Sequence, residues 1–280
     1  MRDFVKETLL RFHLLGPLAN IYRLANPRWL YHNVPYLLKK APDGLPIPPL
    51  KLRSCVWREY IDLKVFFQTG GQIAEVLRAL ESKGARVGDF REILDFGCGV
   101  GRVVRQFAAL ERMLPNMKLY ATDINLKEIE WGRRNLPFAE FQINQAEPPL
   151  DYGSEAFDFI YTFSVFTHLS ESQQLAWMAE LRRVLKPGGY LLLTTCGESY
   201  FETLTQKEQR QFHEGRLTIR HAELAGIPSV YGECIAFHPR SYVETKLTQG
   251  FELIHFIPGV SAETRPKGEM DYYFLRKPVL

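Results

Sequence analysis

From about residue 70 onward, short apolar runs alternate with stretches of helical periodicity. Apolar residues at 73, 76, 77 and 80 predict one helix, and similar spacing predicts helices at 103–113, 124–134 and 170–185. Continuous apolar runs predict strands at 93–96, 119–122, 138–143, 157–163 and 190–195. Strands alternating with helices of about 10–15 residues indicate βαβ units and a parallel sheet. Apolar strands without alternation are typical of a sheet that is covered on both faces.

The rhythm breaks after residue 196. Residues 197–235 are polar and irregular, and we interpret them as a lid-like insertion. Beyond them, 241–248 has helical spacing, and strands are predicted at 251–257 and 272–276. Because a loop rather than a crossover helix joins these two strands, we expect an antiparallel pair at one edge of the sheet.

The first 69 residues differ from the rest in charge and in regularity. Residues 1–60 hold ten Lys and Arg against four Asp and Glu, whereas the whole chain carries a net charge of only +3. Apolar positions between 4 and 24 suggest an amphipathic helix, and five prolines between 35 and 49 exclude a regular helix there. We expect a basic, proline-containing cap whose first 24 residues either pack as a lid or contact a membrane surface.

Composition narrows the class of protein. At 280 residues, with 46% hydrophobic and 24% charged residues, the chain fits one globular core with additions. The four cysteines are far apart and include no CxxC pair, so we expect neither a disulfide framework nor a zinc site. The longest uncharged run has twelve residues and is too short to span a membrane. These features predict a cytoplasmic protein.

The stretch EILDFGCGVGR at 92–102 is the most informative motif. A predicted strand ends in Gly97, Gly99 and Gly101, which allow a tight turn and a close approach by a ligand. A dinucleotide fingerprint requires a third glycine where Arg102 stands, so the strict form of that motif fails. Asp95, two residues before the first glycine, suits a ligand with a cationic amino group.

A second acid follows the next predicted strand, in LYATD at 119–123. Asp123 there could accept hydrogen bonds from the two hydroxyls of a ribose. That position is expected for NAD and for other nucleoside cofactors alike. An N-cap of the following helix is the alternative, and one carboxylate can serve both roles.

Four segments, in order and spacing, carry a resemblance. ILDFGCGVGR, LYATDIN, EAFDFIYTFSVFTHL and LRRVLKPGGYLLLTT resemble the motifs of class I S-adenosylmethionine-dependent methyltransferases. The resemblance covers about 70–196 well and 236–280 loosely. It implies a Rossmann-like three-layer α/β sandwich, with a seven-stranded, mostly parallel sheet whose last strand is antiparallel. We therefore expect a methyltransferase core at 70–280 preceded by the cap at 1–69.

The resemblance also implies roles for individual residues. Asp95, Gly97 and Gly99 would frame the methionine end of S-adenosylmethionine, and Gly101 would keep the following turn open. Asp123 would bind the ribose, and Ile124 would cover one face of the adenine. The family commonly has an acid after the third strand, where this chain has amides, and the donor methyl meets its acceptor after the fourth strand. The expected cofactor-binding residues are Asp95, Gly97, Cys98, Gly99, Gly101, Arg102, Asp123, Ile124, Asn144, Gln145, Ala146, Phe163, Ser164 and Val165.

The chemistry implied is an in-line displacement that yields S-adenosylhomocysteine. The sulfonium charge activates the donor, so the protein mainly orients and desolvates the reactants. His168 lies just past the donor strand and is the candidate catalytic base; the alternative is a polar support near the cofactor. His213, His221 and His238 are interpreted as surface or structural residues, and no carboxylate cluster with metal spacing is present.

The predicted function is methyl transfer to an oxygen or nitrogen of a small or medium-sized organic acceptor. A non-catalytic or membrane-associated module that binds S-adenosylmethionine is the alternative, and an NAD(P)-dependent oxidoreductase is a more distant one. No RNA-binding motif is present and the pI is about 8.6, which argues against nucleic acid as a partner.

Overall fold

A seven-stranded sheet organises the chain. The computed structural model describes residues 33, 36, 41–56, 62–110, 116–221, 234–259 and 269–279, so the helix predicted at 4–24 lies outside the described residues. The strands of this sheet are β1 Glu92–Phe96, β2 Lys118–Asp123, β3 Ala139–Ile143, β4 Phe157–Thr162, β5 Leu185–Thr195, β8 Glu252–Ile257 and β9 Asp271–Arg276.

The strand order is β3-β2-β1-β4-β5-β9-β8. Strands β1 to β5 pair in parallel, and β9 is antiparallel to both β5 and β8. Both the mostly parallel sheet and the antiparallel last strand are therefore confirmed. The carboxyl ends of β1, β2 and β4 lie at one edge, where open α/β sheets bind their ligands.

Helices cover both faces of the sheet. Those described are α1 Leu50–Val56, α2 Leu63–Gly70, α3 Gln72–Ser82, α4 Leu126–Asn135, α5 Glu171–Val184, α6 Gln206–His213 and α7 Arg240–Tyr242. Helix α7 continues as a π-helix, Val243–Leu247. The apolar side of α3 packs on one face with Ile93 and Phe159, and α5 packs on the other face with Leu94 and Ile160. These two cores give the predicted three-layer sandwich.

Helix α5 starts as the sequence predicts. Ser170 caps it, and Gln173 completes a capping box in which each side chain bonds to the other residue's backbone. The helix ends at Val184, however, and Leu185 already belongs to β5.

The helix predicted at 103–113 is wrong in type over its described part. Val104–Ala109 is a 3-10 helix, with bonds from Gln106 N–H to Val103 O and from Leu110 N–H to Phe107 O. Paired β-branched valines at its start lower the propensity for a regular α-helix.

The insertion after β5 has a small sheet of its own. Strands β6 (Thr218–His221) and β7 (Cys234–Phe237) pair antiparallel, and a bridge between Cys196 and Phe237 joins β7 to the end of β5. Residues 222–233, between the two strands, lie outside the described part. The insertion therefore attaches at the same sheet edge that carries the glycine turn.

Candidate functional site

The glycine turn follows β1 in a conformation that depends on glycine. Gly97, Gly99 and Gly101 have φ of +80°, +52° and +70°, which side chains rarely adopt. A Cβ on Gly97 would lie 2.2 Å from Cγ2 of Val165, and one on Gly101 would lie 2.6 Å from Leu136. The turn thus touches the segment after β4 directly, and Gly97 fits no other residue without a shift of its neighbours.

Asp123 joins the turn to the end of β2. Its carboxylate accepts hydrogen bonds from the N–H of Gly99 and the N–H of Asn125, both at 2.9 Å. Burial raises the pKa of Asp123, and these backbone N–H groups counteract part of that rise. Asn125 is the N-cap of α4, with its side chain accepting from Lys127 N–H, so the predicted capping role of Asp123 falls to Asn125.

Asp95 lies in β1 beneath the turn and is 2% exposed. It pairs in register with Tyr161 of β4, so both side chains face the same side of the sheet. Burial raises its pKa to about 8, against the lowering effects of the Tyr161 hydroxyl and the Arg102 charge. Its Oδ2 atom has no hydrogen-bonding partner within the described residues. A buried, unpaired carboxyl oxygen at this edge can accept a hydrogen bond from a bound ligand.

Amide groups stand at the end of β3, as the sequence predicts. The N–H of Asn144 donates to the Asp123 carbonyl at 3.1 Å, which holds this loop beside β2. The Asn144 side chain donates to the carbonyl of Gln145, and its Oδ1 is buried without a partner in the described part of the chain. Ile124 is 45% exposed nearby. Asn144 therefore offers a hydrogen-bond acceptor next to an exposed apolar side chain.

The segment after β4 forms a second wall of the site. Ser164 has φ of +63°, and its N–H donates to Thr194 Oγ1 at 2.9 Å. The ring of Phe163 lies 6.1 Å from that of Tyr272 between centroids, and the guanidinium of Arg102 lies 6.0 Å from the same Phe163 ring. An aromatic and cationic surface thus adjoins the glycine turn.

His168 ends a 3-10 helix, Phe166–His168, beyond that wall. Its Nδ1 lies 3.4 Å from the carbonyl oxygen of Cys234 in β7. A carbonyl partner favours the tautomer with hydrogen on Nδ1, which leaves Nε2 with a free lone pair. Burial lowers the pKa of His168, against the effect of the Cys234 carbonyl, so the ring is neutral at pH 7.

The other candidate histidines differ in environment. His213 is exposed at the end of α6, beside the ring of Phe201. His221 is the last residue of β6. His238 is fully buried; its Nε2 lies 3.1 Å from Gln174 Oε1, and burial lowers its pKa to about 3. Among the described residues, no group of three or more His, Cys, Asp or Glu could hold a metal ion.

Sequence patterns alone did not identify two residues of this region. Tyr272 reaches the site because β9 pairs antiparallel with β5, which places it opposite Thr194. Gln174 reaches it from α5 by binding the turn that carries His168. No periodic signal marks either contact, because each depends on strands or loops far apart along the chain.

Known proteins resemble this chain over part of its length. Residues 93–189 match the family described as a methyltransferase domain. This match covers 97 of the 280 residues and runs from β1 into β5. A malonyl-[acyl-carrier protein] O-methyltransferase of Hahella chejuensis is 27% identical over 139 residues, which cover 49% of this chain and 46% of that protein. An uncharacterised protein from a Streptomyces fradiae transposon is 33% identical over 130 residues, covering 45% of this chain and 34% of that protein.

Solved structures of methyltransferases share the fold. A Methanosarcina mazei methyltransferase has a TM-score of 0.51 at 22% identity, covering 72% of this chain and 98% of that one. A Burkholderia thailandensis 1,6-didemethyltoxoflavin N1-methyltransferase also scores 0.51, at 15% identity, covering 83% and 92%. The chain aligns with only about a third to a half of the two curated relatives named above. In the described residues of this chain, no helix is long and apolar enough to cross a membrane.

Proposed function

We propose that this chain transfers a methyl group from S-adenosylmethionine to an oxygen or nitrogen of a small or medium-sized organic acceptor. The observation that carries the proposal is the contact between the glycine turn and Val165. This contact brings the glycine turn and the Phe163–Tyr272 wall to the same point of the sheet edge.

The residues present fit the cofactor. The unpaired Oδ2 of Asp95 can accept from the amino group of the methionine end, beside glycines that admit close approach. Asp123 lies where the ribose hydroxyls are expected, and Oδ1 of Asn144 can accept from the adenine amino group. Ile124 is exposed enough to cover the adenine ring. Cys98, Gln145 and Ala146 lie in the same two loops and stay proposed contacts.

The cofactor supplies an activated methyl group on a positively charged sulfur. The tasks left to the protein are to orient the acceptor, to exclude water and to manage any proton that the acceptor loses. We assign orientation to Phe163, Tyr272 and Arg102. His168 is the candidate for the proton, because its neutral ring has a free lone pair on Nε2.

Binding of S-adenosylhomocysteine tests the proposal. Calorimetry on the purified chain should show binding of S-adenosylhomocysteine and none of NADH, and at a hundredfold excess over Kd the ligand should stabilise the fold by about 2.7 kcal/mol. Release of S-adenosylhomocysteine from S-adenosylmethionine with a panel of carboxylate, phenol and amine acceptors would then identify the acceptor class. Binding of NADH in preference to S-adenosylhomocysteine would refute the proposal.

A further inference from the structure

Arg105 is a fully buried arginine beside the glycine turn, with no role in the site described above. It lies in the 3-10 helix that follows the turn, and its N–H donates to the carbonyl of Gly101 at 3.0 Å. Its Nε donates to Oδ2 of Asp43 at 2.5 Å, and its NH2 donates to Oδ1 at 2.8 Å. The same NH2 also donates to the carbonyl of Leu45 at 3.2 Å. The proline-containing strap at 41–45 is therefore fixed to the 3-10 helix that follows the glycine turn.

This ion pair is almost wholly removed from solvent. The Arg105 side chain is 0% exposed and that of Asp43 14% exposed. Such a pair gains little net stability, because desolvation offsets most of its Coulomb attraction, but losing one partner leaves an uncompensated buried charge. A two-pronged guanidinium contact also fixes direction, which an ammonium group does not. The pair therefore holds two segments, 62 residues apart, in one relative position.

Helix α2 contacts the glycine turn and the 3-10 helix after it in three ways. The Arg105 guanidinium lies 5.8 Å from the ring centroid of Phe66 and 5.0 Å from that of Phe67. Phe66 packs with Val100 inside the glycine turn. A Cβ on Gly70 would lie 2.6 Å from the carbonyl oxygen of Arg102, so glycine is required for this approach. Helix α2 thus contacts the glycine turn at Val100 and Arg102.

We propose that Arg105 is a positioning residue, which clamps the strap at 41–45 and helix α2 onto the glycine turn and so holds the S-adenosylmethionine site in its binding geometry. The proposal rests on the proposed function, because it assigns the cofactor to this turn. It goes beyond that function, because Arg105 itself contacts the strap and α2 and leaves the cofactor to its neighbours. Reciprocity follows: the bound cofactor should stabilise the docked strap, and loss of the clamp should weaken the cofactor.

Two conservative variants test the clamp. Arg105→Lys keeps the charge and loses the two-pronged contact, and Asp43→Asn keeps the size and loses the charge. Each should weaken binding of S-adenosylhomocysteine, measured by calorimetry, by about tenfold. The double variant should be no worse than the more damaging single one, since both remove one contact. Hydrogen exchange adds an independent readout: S-adenosylhomocysteine should slow exchange at 41–56 in the wild-type chain and not in the variants.

Arg183 supplies a matched control. It makes the same kind of two-pronged contact to Glu180, at 2.7 Å and 2.6 Å, and donates to the carbonyl of Tyr152 at 3.0 Å. The Arg183 side chain is 35% exposed, so Arg183→Lys should lower the melting temperature less than the clamp variants do. It should leave the affinity for S-adenosylhomocysteine within twofold of wild type. Equal losses of affinity in the Arg105 and Arg183 variants, or none in either clamp variant, would overturn the proposal. If one clamp variant fails to fold, the other decides. A wild-type chain that binds no S-adenosylhomocysteine refutes the proposed function and the clamp with it, before any variant is compared.

Discussion

Gln174 ties the turn that carries His168 to the insertion, and its loss should be costly. Its amide nitrogen donates to the carbonyls of Phe166 and Leu169, at 3.1 Å and 3.0 Å, and its Oε1 lies 3.1 Å from Nε2 of His238. The side chains of Gln174 and His238 are both fully buried. The N–H of His238 in turn donates to the carbonyl of Cys196 at 2.7 Å. One side chain therefore links the segments that follow β4, β5 and β7.

The cost of Gln174→Leu follows from these contacts. The Leu169 carbonyl and the His238 ring lose the amide inside the core, and each buried polar group left without its partner costs about 1–3 kcal/mol. The carbonyl of Phe166 keeps a longer contact, at 3.5 Å, with the N–H of Leu169, so it adds less. The extra apolar surface of leucine offsets part of the loss. We expect the free energy of unfolding to fall by about 3 kcal/mol.

Urea unfolding followed by circular dichroism measures this change, provided that the slope stays constant. Gln209→Leu is the matched control, because Gln209 is only half-buried and donates to a single carbonyl, that of Phe201, at 3.3 Å; it should cost under about 1 kcal/mol. The double variant Gln174→Leu/His238→Leu replaces both partners by apolar groups, so it should be less destabilised than the sum of its single variants by about 1 kcal/mol or more. Strict additivity, or a loss below about 1 kcal/mol for Gln174→Leu, would refute the linking role.

Three further results should follow from the structure. Burial raises the pKa of Asp271 to about 6, so between pH 4 and pH 6 the folded state holds a proton that the unfolded chain has released. The free energy of unfolding should therefore fall as the pH rises from 4 to 6 and level off above pH 6. In Asp271→Asn, urea unfolding at each pH should show a fall that is smaller by roughly 2–3 kcal/mol. Gly97→Ala should abolish detectable binding of S-adenosylhomocysteine in calorimetry because its Cβ meets Val165 at 2.2 Å, and adding Val165→Ala should restore part of it; no restoration would contradict the steric cause. Asp123→Asn should weaken that binding at least tenfold, whereas Asp89→Asn, at an exposed site, should leave it unchanged.

Periodicity was sufficient to predict the strands of the sheet because an apolar run of its own marks each strand. The alternation of apolar runs with helical periodicity was enough to predict that β1 to β5 pair in parallel. The start of α5 is marked within four residues of sequence by the capping box of Ser170 and Gln173. The site residues contributed by the glycine turn and by Asp123 are also local to strand ends. Their arrangement follows once strands are parallel, because all their carboxyl ends meet at one edge.

The contacts that hold the site together could not be predicted in the same way. Asp43 meets Arg105, and Gln174 meets His238, across 62 and 64 residues of sequence. No periodic pattern in the sequence indicates which residue pairs with an arginine inside an apolar stretch or with a histidine after a short strand. Such a pair can be identified only from the folded structure, where both groups are buried and their polar atoms need hydrogen-bonding partners within the protein.

The neutral ring of His168 also constrains the acceptor. A base whose pKa burial has lowered is a weaker proton acceptor than free imidazole. It is therefore poorly matched to an alcohol, which holds its proton tightly, and better matched to an acceptor that arrives as a carboxylate or as a free amine. Under the proposed function, the sulfonium charge and orientation by Phe163 and Tyr272 would suffice for such an acceptor, and Nε2 of His168 would serve as a hydrogen-bond partner. The proposed function thus favours acceptors that are nucleophilic at neutral pH. In the acceptor panel, the carboxylates and the amines that are unprotonated at pH 7 should turn over before the phenols do.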